Sequence, residues 1–150
     1  MSAIIMFDDS RWPLLLLRVT GAMSDKQFGA FLAQSDTYLA RGEKYVSILD
    51  LGQVGLPSPA QRQMQAEWIR RHDAPLRELV LGNANIITSA PIRLALSLIF
   101  HLNPLPMPYA AVADMDSALR FVLGKLEEGG RRDDAERIRC QPGLPGVLAG

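Results

Sequence analysis

Ser58, in the stretch Leu49–Gln63 that reads LDLGQVGLPSPAQRQ, is the side chain best placed in this sequence to be chemically addressed. A serine hydroxyl at a helix start has two uses. It caps the first backbone N–H groups, or it carries a phosphate that the positive end of the helix tolerates. Pro59 is the favoured first helical residue and Gln61 completes a Ser-x-x-Gln pattern, so the stretch reads as a capping box. The cap accounts for every residue there. Asp50 is a second candidate, because it ends an expected parallel strand at the side where open α/β sheets bind ligands. Its plainer role is to accept backbone N–H groups of the following Gly-containing turn.

The remaining reactive side chains form no motif. His72 and His101 fall near helix ends, where an imidazolium interacts favourably with the helix dipole. Cys140 is the only cysteine, which excludes an intramolecular disulfide and a cysteine-rich metal site. Phosphate loop, dinucleotide fingerprint, nucleophile elbow, zinc spacing and calcium loop are all missing. The expectation is a non-enzyme with no catalytic residue, no cofactor and no metal. The 16 Lys and Arg balance the 16 Asp and Glu, so no global field recruits nucleic acid or an anionic membrane. Partners must be recognised locally.

The 150 residues, 48% of them hydrophobic, suit one domain with one core. The start MSAIIMFDDSRW has no basic region ahead of an apolar stretch, and the longest apolar segment, Leu94–Leu102, is far short of a membrane span. A cytoplasmic location is expected. Ala3–Phe7 and Pro13–Thr20 read as a β-hairpin separated by the polar cluster DDSR. Ser24 and Gln27 open a helix that runs to about Arg41, with Phe28, Phe31, Leu32 and Leu39 on its core face and Gly42 ending it. Tyr45–Leu51 is the next strand, and a helix from Pro59 to about Asp73 follows, stopped by Ala74-Pro75. Leu79–Thr88 reads as a strand irregular at Gly82. Ser89 and Pro91 introduce a third helix, closed off by Pro104, Pro106 and Pro108. Tyr109–Ala113 and a helix carrying Leu119, Val122, Leu123 and Leu126 complete the unit.

The order ββαβαβαβα predicts an α/β fold with a mostly parallel five-stranded sheet that opens with an antiparallel hairpin. Residues 1–128 would form the domain and residues 129–150, GGRRDDAERIRCQPGLPGVLAG, a flexible C-terminal tail. The third helix is apolar nearly all round, so it is expected to be buried on more than one side. Its cover could be the tail, another helix, a second subunit or a hydrophobic ligand, and Ile92, Leu96, Ile99 and Phe100 are the candidate surface.

The hairpin opening, the V-T-G strand end before a capped helix, and V-S-I-L-D-L as a central strand resemble the STAS/SpoIIAA-like family from about Ile4 to Leu126. The stretches ITSAPIRLALSLIFHLNP and ADMDSALRFVL are similar to its uncharacterised bacterial branch, whose members are also compared with CRAL-TRIO lipid-transfer proteins. The resemblance implies a non-enzymatic domain of bacterial signalling that acts through protein-protein interaction. It also implies a partner loop after the central strand, here Leu56, Pro57, Ser58 and Pro59. In anti-sigma-factor antagonists a serine of a D-S-S/T-G-like loop is phosphorylated there to switch partners. In this chain Ser58 comes about one position early, Pro59 replaces the usual acceptor, and the following glycine is absent. Another protein, including a second copy in a homodimer, is the partner implied. A carrier or sensor of a lipid or other hydrophobic small molecule is the alternative.

Overall fold

The computed structural model describes residues 3–53, 57–102 and 104–141. Strands β1 (Ile4–Arg11) and β2 (Leu14–Thr20) pair antiparallel, and β3 (Tyr45–Gln53), β4 (Val80–Ile86) and β5 (Tyr109–Val112) add in parallel. The sheet order is β1-β2-β3-β4-β5. Parallel neighbours require crossover helices, and these are α1 (Asp25–Leu39), α2 (Pro59–Arg71), α3 (Asp73–Leu79) and α4 (Ala90–Leu102). Helices α5 (Met115–Glu128) and α6 (Arg132–Cys140) follow β5. The α/β architecture expected from the alternation of strands and helices is the one observed.

Alternation along the strands divides the core in two. On one face Leu14, Val46, Ile48, Ala84 and Ile86 meet Leu119, Val122, Leu123 and Leu126 of α5. On the other, Leu15, Leu17, Tyr45 and Val80 meet Tyr38 and Leu39 of α1 and Leu76 of α3. Strand β3 contributes to both clusters, as a central parallel strand must. Gly82 lets α5 lie close, since a Cβ there would come within 2.9 Å of Lys125 Cγ. Gly42 takes the left-handed conformation, φ 70°, just beyond α1, in the terminating role expected of it.

Three local expectations are corrected. Strand β1 continues through the polar DDSR cluster, because an edge strand needs only one apolar face and one paired side. Pro75 does not simply terminate a helix. It sits in the first turn of the new helix α3, where its missing N–H costs nothing, and Leu76 beside it is buried. The expected tail is ordered through its first part: α6 inserts Ala135 and Ile138, both fully buried, into the α5 face of the core. Its polar residues are spread around these two anchors, and Arg137 Nη2 donates to the Trp12 carbonyl at 2.9 Å. Residues 142–150 lie outside the described residues.

If α6 belongs to the core, Ile138→Ala will lower the unfolding free energy by about 2–5 kcal/mol in urea titration, against about 0.5 kcal/mol or less for a solvated tail. Tyr45 supplies a pH test. Burial pushes its phenol up from 10.0 to about 12. The raised folded value means that its contribution is complete below pH 10 and is lost as the pH rises toward about 12. The urea midpoint of the wild type should fall through that window, and Tyr45→Phe should flatten the fall.

Candidate functional site

Ser58 is the N-cap of α2: its backbone is extended and its Oγ accepts the Gln61 N–H at 3.1 Å. Pro59 fills the first helical position. The second half of the expected capping box does not form. The Gln61 side-chain amide instead donates to the Met23 carbonyl at 2.8 Å and to Asp25 Oδ1 at 3.1 Å. A buried amide needs partners, and the N-terminal end of α1 supplies two acceptors. In α1 itself the box is complete, with Ser24 and Gln27 bonded both ways.

The opposite end of α2 is tied to α1 as well. Asp36 Oδ1 accepts from Trp68 Nε1 and lies 3.1 Å from His72 Nε2, while the His72 ring stacks on Trp68 at 4.6 Å between centroids. His72 Nδ1 is 2.8 Å from the Trp68 carbonyl. His72 is therefore a structural link at a helix end, whereas His101 is exposed. Asp50 takes the turn role, with Oδ1 accepting from Gly52 N–H at 3.1 Å and Oδ2 paired with Arg18 at 3.2 Å.

Between the two ties an apolar cleft of about 280 Å³ opens at the carboxyl ends of β2 and β3. Pro57 and Ser58 lie at its edge, and Phe28, Phe31, Leu49 and Leu51 form its walls. Leu56 lies outside the described residues. Sequence reasoning missed this cleft, because it arises from the spacing of α1 and α2 rather than from any local pattern.

The residues of α4 divide by burial. Ile92, Leu96 and Phe100 are half-buried, and the Phe100 ring meets Tyr109 of β5 edge-on at 5.0 Å. The Ile99 side chain lies outside the described residues. The second face of the helix, expected to be covered, is open in this chain: Leu94, Leu98 and Leu102 are 64%, 58% and 77% exposed. Their i, i+4, i+8 spacing was visible in the sequence, but a helix apolar all round does not reveal which stripe is turned inward.

Among the described residues no group of three His, Cys, Asp or Glu is placed to hold a metal ion, and no helix is long and apolar enough to cross a membrane. No family model and no curated protein matches the sequence. Solved structures do match. One is an uncharacterized protein of the DUF3478 family with a SpoIIAA-like fold from Shewanella loihica PV-4, with a TM-score of 0.63. It is 14% identical over 81% of this chain and 94% of that one. Another is an anti-sigma factor antagonist from Mycobacterium paratuberculosis, 14% identical over the same shares of the two chains, with a TM-score of 0.55. The fold is thus SpoIIAA-like, as the sequence resemblance implied.

The geometry at Ser58 gives a direct measurement. Ser58→Ala should cost about 1 kcal/mol in urea titration by removing the cap, and Ser58→Asp, which can still accept the Gln61 N–H, should recover most of it.

Proposed function

We propose that this chain is a non-enzymatic regulatory domain of bacterial signalling that works in the cytoplasm by binding another protein. The observation that carries the proposal is the row Leu94, Leu98 and Leu102 on α4. Three leucines on successive turns, all more than half exposed, form an uncharged apolar stripe of the kind by which a helix docks against a partner. The SpoIIAA-like fold shared with an anti-sigma factor antagonist supports a regulatory partner. The segment from Pro57 to Pro59 is the second contact element in this reading, with Ser58 serving as a cap rather than as an obligatory phosphate acceptor. Recognition through an apolar row needs no metal, cofactor or nucleophile.

The second copy of the chain is a partner that the same row can accept, because a self-complementary stripe is what an isologous dimer requires. The inward residues of α4 give the control.

Leu98→Asp places a charge in solvent and should leave the urea midpoint within about 0.5 kcal/mol of wild type. Leu96→Asp places it on the half-buried side of the helix and should cost several times more. Native mass spectrometry of untagged protein from its own cells should show a protein-bound or dimeric species for wild type that is lost in Leu98→Asp. A wild-type spectrum containing only the free monomer would overturn the proposal.

A further inference from the structure

The cleft between α1 and α2 has a chemistry that the interaction row does not use. Behind it, against the sheet, lies a second cavity of about 120 Å³, walled by Leu15, Leu17, Tyr45 and Leu76 among others. Phe31, Leu49 and Gln65 line both spaces, so the two adjoin. An apolar cavity of about 150 Å³ accepts benzene. The outer cleft alone, at about 280 Å³, is nearly twice that size.

Two polar groups in these walls have unused hydrogen-bonding capacity. Ser47 is only 8% exposed and lines the inner cavity. Its Oγ accepts from Asn83 Nδ2 at 2.8 Å, and its own O–H has no acceptor among the described residues. The Gln65 side chain, at the junction of the two spaces, is half-buried and makes no hydrogen bond to another described residue. Asn83 Oδ1 in turn accepts from Asn85 Nδ2 at 2.9 Å. A buried hydroxyl on the wall of an apolar cavity can turn its O–H toward an acceptor that enters there.

The lining also selects by charge. Neither cavity has a charged residue in its wall, and Gln61, which lines the outer cleft, donates to Asp25 Oδ1. An anionic head would enter without a counter-charge and would have to shed its water uncompensated. We propose that the space between α1 and α2 is a binding site for an uncharged amphiphile. The ligand has an apolar body and a hydroxyl or carboxamide head, about a dozen heavy atoms in all on the benzene scale. The head accepts from Ser47 and bonds Gln65, while the body lies between Phe28, Phe31 and Leu49. This site is independent of the leucine row on α4.

Titration of the full chain with 1-nonanol by calorimetry tests it. Saturable one-to-one binding is expected, with nonanoate at least tenfold weaker at neutral pH. Gln65→Met, which keeps the volume and loses the amide, should weaken nonanol several-fold. Leu51→Trp, which fills the outer cleft, should abolish binding. Should Leu51→Trp fail to fold, the Gln65→Met comparison and the nonanoate comparison still decide. Absence of saturation with nonanol, equal binding of nonanoate, or full affinity in Gln65→Met would each overturn the proposal. Leu98→Asp should bind nonanol as wild type does, so failure of this site and failure of the protein-interaction reading are separately visible.

Discussion

Burial of β3 on both faces is the constraint from which the other elements take their places. Val46 and Ile48 are fully buried beneath α5, while Tyr45 is buried on the opposite side beneath α1 and α3. A strand in that position must have parallel neighbours joined by crossovers, and right-handed crossovers carry the helices between β2 and β5 to one face. The other face is then left for whatever follows β5. Helix α5 takes it, and Gly82 allows the approach. One helix does not cover that face, which gives α6 a place and explains why a charged segment with only two apolar anchors is nonetheless ordered.

That division also determines what could be read in advance. Periodicity exposes elements whose burial is one-sided or complete, so the hairpin, α1, β3 and α5 were legible from residues such as Phe28, Leu32, Val122 and Leu126. It fails where position is set by another element. Ala135 and Ile138 look like sparse apolar residues in a charged run until α5 and the sheet offer them a groove. Pro75 looks like a stop until the chain restarts a helix two residues earlier, where proline is acceptable. The all-apolar α4 concealed its orientation, and Ile92, Leu96 and Phe100 proved to be the inward side while Leu94, Leu98 and Leu102 faced out. The serine at the head of α2 was legible as a cap because capping is local. The destination of the Gln61 amide was not, because it depends on where α1 lies.

The same dependence produces the cleft. Helices α1 and α2 are held to each other by polar ties near both ends of α2: Gln61 to Met23 and Asp25 at one, Trp68 and His72 to Asp36 at the other. Directional bonds fix a spacing, and apolar side chains between them must fill whatever space results. Here they do not fill it, and Phe31, Leu49 and Gln65 border space on two sides. Collapse of the cleft would have to break ties that satisfy buried or half-buried donors, at a cost of about 1–3 kcal/mol for each donor left unpaired.

Two separate apolar features therefore have different physical origins. The cleft is an internal consequence of polar ties, enclosed by helices that already serve the fold. The leucine row on α4 is external, and it costs the isolated domain favourable burial that a partner would restore. Helix α4 lies over β5, the shortest strand and one edge of the sheet, so its inner face alone is engaged. A helix at an edge can be replaced on its outer side by another molecule without disturbing the sheet. The row lies at the periphery, away from β3, so in the proposed reading a partner docks there while the core stays intact.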